Sequence, residues 1–98
     1  MAVKPETLFR QRVDKKLKAI PNSWWESIQQ RTIRGTPDKI GVVNGWFVAL
    51  ELKASFKNKP TALQQRKLDL INKCSGVAYV VHPGNLDDVF NILLDLNS

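Results

Sequence analysis

The run Lys39-Ile40-Gly41-Val42-Val43-Asn44-Gly45-Trp46-Phe47-Val48-Ala49-Leu50-Glu51-Leu52-Lys53 decides how this chain is read. Two segments rich in β-branched and aromatic residues flank Asn44-Gly45. Asn-Gly supplies both positive-φ residues of a type I′ turn, so the run predicts a two-residue β-hairpin. Val43 then pairs with Trp46, and in the same register Asp38 falls directly opposite Glu51. Residues opposed in this way have Cβ atoms about 4.5–5.5 Å apart, and two carboxylates so placed repel unless something positive lies between them. Strand alternation puts Lys53 on the same face as Glu51 and turns Val48, Leu50 and Leu52 the other way.

Outward from the hairpin, a lysine-rich loop over 54–59 leads to Pro60-Thr61. Thr61 with Gln64 fits a capping box and opens a helix to about Ser75, with Leu63, Leu70, Ile71 and Cys74 as its expected buried face and Gly76 as its stop. Val77 to Val81 reads as a buried strand. Asn85 is expected to cap a last helix that carries Leu86, Val89, Phe90, Leu93 and Leu94 on one stripe.

Towards the N-terminus, Pro5 to Ala19 predicts a helix with Phe9, Val13, Leu17 and Ile20 on one face, ended by Pro21-Asn22. Residues 23–33 admit either a short strand or an irregular segment that delivers Trp24, Trp25 and Ile28 to the core. The order helix, strand, hairpin, helix, strand, helix predicts an α/β fold: a small mixed β-sheet flanked by helices, with a parallel β-helix-β crossover.

At 98 residues there is room for one domain, residues 1–98. The lone Cys74 excludes an internal disulfide and a zinc cluster, and is expected to be a buried core thiol. His82 has no triad pattern around it and reads as structural. With no apolar run long enough to span a bilayer, and no signal-like N-terminus, the expectation is a soluble protein without a membrane partner. Residues 1–73 hold all 15 Lys and Arg and a balance of +9, whereas residues 74–98 carry −3. A basic front with an acidic tail suits a polyanionic partner met by the front alone.

Two acids and a lysine converging at one hairpin end suit a hard divalent cation such as Mg²⁺, which takes oxygen ligands from carboxylates, water and a substrate phosphate. The competing reading is an exposed ion-pair cluster on a solvated sheet face. Gly35-Thr36-Pro37, which shapes the chain entering the strand, favours the site.

Gly35-Thr36-Pro37-Asp38, the hairpin and Glu51-Leu52-Lys53 together resemble the PD-(D/E)xK nuclease superfamily. They are most similar to its VRR-NUC branch, virus-type replication-repair nucleases found alone in phages and appended to larger repair enzymes. Thr61-Ala62-Leu63-Gln64, Gly76 and the strand at Val77 match that pattern in order, so the resemblance covers about residues 5 to 82. It implies a restriction-endonuclease-like core in which Asp38, Glu51 and the main-chain carbonyl of Leu52 bind Mg²⁺ or Mn²⁺ and Lys53 is catalytic. It adds a glutamate from the first helix, for which Glu6 is the candidate, and Gln64 in preference to its neighbour Gln65.

On their own, Glu6 reads equally as a first-turn acid favoured by the helix dipole, and Gln64 as a cap. Arg31, Arg34, Lys39, Lys57 and Lys59 are candidate DNA-phosphate contacts or merely solvated charges. The function implied is a metal-dependent DNA endonuclease selective for branched DNA such as Holliday junctions. It would act as a homodimer in the cytoplasm, the host's if phage-encoded, with Trp46 and the last helix as candidate dimer surfaces. The alternative is a non-catalytic nucleic-acid-binding module on the same fold.

Overall fold

A computed structural model describes residues 4–29 and 33–98. Seven elements follow in order: α1 (Pro5–Lys18), β1 (Ser23–Ser27), β2 (Lys39–Val43), β3 (Trp46–Leu52), α2 (Ala62–Lys73), β4 (Val77–Val81) and α3 (Leu86–Asp95). The strands form one mixed sheet in the order β1-β2-β3-β4. β1, β2 and β3 run antiparallel in turn, and α2 carries the chain over to β4, parallel to β3. No helix among the described residues is long and apolar enough to cross a membrane.

Asn44 (φ 49°) and Gly45 (φ 87°) make the expected turn, and Val43 pairs with Trp46. The ladder runs without a bulge to Lys39 opposite Leu50, which leaves Asp38 facing Glu51 one step beyond it. Two layers cover the sheet. Phe9, Val13 and Leu17 of α1 and Leu86, Val89 and Leu93 of α3 close over Val43, Val48, Leu50, Leu52 and Val81. On the other face, Leu68 and Ile71 of α2 pack on Ala49, Ala78, Ile40 and Val80. β3 is therefore central and buried on both faces from Val48 to Leu52.

Several expectations change under this packing. The ambiguous segment after α1 is a strand, but it lies at the sheet edge: Trp24 is 57% exposed, and only Trp25 packs against the core. α2 is rotated from its expected face, burying Leu68 and leaving Leu63, Leu70 and Cys74 exposed. α2 lies across two small side chains, Ala49 and Ala78, and Leu68 and Ile71 pack on them.

The residue that ends α2 in the left-handed region is Ser75 (φ 69°), one before Gly76. The Gly76 N–H donates to Ile71 O (2.9 Å) and the Ser75 N–H to Asn72 O (3.1 Å), a Schellman pair. Asn85 holds the N-cap position of α3 without capping it. Its side chain accepts from the His82 N–H and donates to Val80 O, both at 2.8 Å, and so fastens the end of β4. The apolar stripe of α3 packs into the core, and Ile92 on the same helix is exposed.

Candidate active site

The C-terminal end of β3 meets the N-terminal ends of α1 and α2 in a cleft of about 260 Å³. Gly35, at φ 78°, turns the chain beneath α2, where a Cβ would stand 2.8 Å from Leu63 Cγ. The turn delivers Asp38 to the mouth of the hairpin, with its carbonyl accepting from the Ile28 N–H (2.8 Å). Here the ladder stops, and the Asp38 side chain takes over: Oδ2 accepts the Leu52 N–H at 2.8 Å. An extended residue sends its N–H and C=O to the same edge, so the Leu52 carbonyl also leaves on the Asp38 side.

Glu51 is 2% exposed. Its Oε2 lies 3.5 Å from Lys53 Nζ, while its Oε1 is buried with no hydrogen-bond partner. Burial, and then the charge of Asp38, push its pKa up to about 7, against the opposing pull of Lys53. Removing water from a carboxylate beside a second one favours the protonated form, and a single ammonium does not offset both. A buried carboxylate oxygen without a donor is costly in a finished fold, and a cation is the natural group to satisfy it.

Lys53 is fixed from two sides. Its N–H donates to Val81 O (2.8 Å), extending the β3–β4 pairing, and its ammonium donates to Gln64 Oε1 (3.2 Å). That same oxygen accepts from the Thr61 N–H (2.9 Å), while Thr61 Oγ1 accepts from the Gln64 N–H (3.1 Å). The capping box that starts α2 therefore aims the Gln64 amide at Lys53. Gln65 points elsewhere and donates to Asp69 Oδ1 (2.8 Å).

A solved structure described as a VRR_NUC domain matches with a TM-score of 0.78, over 91% of this chain and 97% of its own, at 18% identity. The chain has the VRR-NUC fold. No family model matches the sequence, and neither does any curated protein.

On this VRR-NUC fold Glu6 lines the cleft from the first turn of α1 but is exposed. Among the described residues no three His, Cys, Asp or Glu side chains gather as a metal cluster, so the acidic centre is the pair Asp38 and Glu51. Lys39, expected among the phosphate contacts, is withdrawn from them. It is 6% exposed on the opposite sheet face, and its ammonium donates to Asp14 Oδ1 and to Ser27 Oγ (2.8 Å). The alternation that brings Asp38 to one face turns Lys39 to the other, a signal already present in the register.

Lys57 and Lys59 are exposed on the loop whose Ala54 and Asn58 line the cleft. Arg34 is exposed beside Asp38 and Gln64 in an adjoining cleft. Arg31 lies outside the described residues.

Arg10 was not anticipated. It stands one turn after Glu6 and donates from Nη2 to Asp38 Oδ1 at 3.2 Å. Its spacing of four from Glu6 was the available signal. A larger apolar groove, lined by Trp46, Phe47, Leu70 and Cys74, lies at the other end of β3. It carries no carboxylate or amine, so the chemistry belongs to the smaller polar cleft.

Proposed function

We propose that the chain is a divalent-metal-dependent nuclease that hydrolyses phosphodiester bonds in DNA. The observation that carries this reading is Glu51: a buried carboxylate with one unpartnered oxygen, facing Asp38 and adjoining the ammonium of Lys53. A solvated ion-pair cluster has no reason to bury its acid. The two carboxylates and the Leu52 main-chain carbonyl are the oxygen donors that a hard divalent cation would take, together with water and substrate phosphate. Asp38, Glu51 and the Leu52 carbonyl would hold Mg²⁺ or Mn²⁺. Such an ion, when bound, supplies Lewis acidity, drawing charge from a phosphate oxygen and acidifying the attacking water.

The chain's own groups do the rest. Lys53, steered by Gln64, presents N–H donors to the attacking water and to the negative charge that grows on the phosphate. Lys57, Lys59 and Arg34 hold neighbouring phosphates without reading bases. Selectivity for branched DNA, Holliday junctions included, follows from recognition by backbone shape and charge alone. A homodimer would bring two such sites to two strands. Its supporting feature is Trp46, 46% exposed at the apolar groove. Cytoplasmic action suits a chain with one free thiol and no disulfide.

The test is incubation of the protein with four-way junction, flap and linear duplex DNA in Mg²⁺, Mn²⁺ or EDTA. Metal-dependent cutting, strongest on the junction and lost in Lys53→Ala, is the expected result. Tight binding without cleavage in any metal would instead establish a non-catalytic binding module.

A further inference from the structure

Among the described residues, Arg10 is the one cation that touches the acidic pair from outside the hairpin. Asp38 has two oxygens: Oδ2 is taken by the Leu52 N–H and Oδ1 by Arg10 Nη2 at 3.2 Å. Glu51 Oε1 has no partner at all. A divalent ion seated between the two carboxylates must draw on an Asp38 oxygen, and Oδ1 is the one not held by the backbone. A guanidinium and a dication on the same oxygen repel strongly at that range. Arg10 is 48% exposed, and Asp38 is the partner its side chain has among the described residues, so a cation that takes Oδ1 leaves the guanidinium room to swing into solvent. It lines the same cleft as Lys53 and Gln64. The anion that enters that cleft is the DNA phosphate, and a planar guanidinium matches a phosphate with two parallel N–H donors.

We propose that Arg10 competes with the divalent cation for Asp38 and, once displaced, holds a DNA phosphate beside the scissile bond, so that metal and DNA favour each other's binding. The inference rests on the metal-dependent nuclease reading. Because coupling between two ligands is reciprocal, DNA must tighten the metal by the factor by which the metal tightens DNA. Arg10 supplies that coupling by leaving one ligand's site for the other's.

Calorimetric titration of the DNA-free protein with Mn²⁺ alone is the first measurement. Arg10→Gln should bind Mn²⁺ at least about fivefold more tightly than the unaltered chain, since the competitor is gone. The second measurement is fluorescence anisotropy with a labelled four-way junction in a Lys53→Ala background, which suppresses cutting. In EDTA, adding Arg10→Gln should change affinity little; in Mn²⁺ it should weaken binding several-fold, and Arg10→Lys should recover part of the loss. A purely structural Arg10 would lower both affinities together. Unchanged or weaker Mn²⁺ binding in Arg10→Gln would overturn the inference while leaving the nuclease reading intact. Absence of Mn²⁺ binding in every variant would overturn both.

Discussion

The ammonium of Lys53 stands 3.5 Å from Glu51 Oε2 and does not neutralise it. Glu51 keeps a pKa of about 7 despite that neighbour, because burial and Asp38 together outweigh one lysine. Strand alternation alone would make the pair an ordinary ion pair; the cover supplied around it makes it a site that favours a second positive charge.

Stability should fall as pH rises. Glu51 titrates near 7 in the fold against 4.5 as a free side chain, so between those values the native state binds more protons than the unfolded chain. Folding is then penalised progressively from pH 4.5 upward, reaching about 3 kcal/mol above pH 7. Glu51→Gln should therefore be stabilising at pH 8 by up to that amount and neutral at pH 4.5. Urea denaturation of both proteins in EDTA at the two pH values measures the difference; equal effects at both would refute the linkage.

A divalent cation should reverse this penalty. It favours ionised Glu51, so its affinity rises with pH through about 7, and binding to the native state alone raises the melting temperature. Thermal melts at pH 8 should shift upward with Mg²⁺ or Mn²⁺ in the unaltered chain. Asp38→Asn and Glu51→Gln should show little or no shift.

The capping box carries two roles that substitution can separate. Thr61→Ala removes the hydroxyl acceptor of the Gln64 N–H but leaves Gln64 beside Lys53, and should cost about 1 kcal/mol with a small loss of cleavage. Gln64→Ala removes the steering of Lys53 as well, and should lower the single-turnover rate by roughly tenfold or more. Equal rate losses in the two variants would mean that Gln64 acts only as a cap.

Lysines on the two sides of the molecule should behave oppositely. Lys39→Ala removes a buried ammonium from Ser27 and Asp14, whose oxygens solvent can then reach, and should destabilise the fold by about 1 kcal/mol, with DNA affinity preserved. Lys57→Ala and Lys59→Ala should leave stability unchanged within about 0.5 kcal/mol and each reduce the salt slope of DNA binding by about 1. Denaturation curves and salt titrations of binding distinguish the three.

Much of the frame is local and so was legible in the chain. Asn44-Gly45 admits one tight turn, which sets the register and with it the approach of Asp38 to Glu51. Thr61 and Gln64 satisfy each other's backbone N–H groups within one helical turn. Phe9, Val13 and Leu17 recur at helical spacing and need only a sheet to cover.

What tertiary structure decided is which faces meet. Trp24 and Trp25 look alike in sequence, yet only Trp25 turns toward the covered face of an edge strand. Cys74 and Leu70 lost the core to Leu68 because α2 crosses the sheet at a rotation that depends on the small side chains beneath it. The Arg10–Asp38 contact spans 28 residues: the spacing from Glu6 puts Arg10 on the same side of α1, but only the folded chain names its partner. Asp38, Glu51 and Lys53 share a face because a strand has a period of two. Their desolvation, and hence their chemistry, comes from helices that close over the hairpin only once the chain has folded.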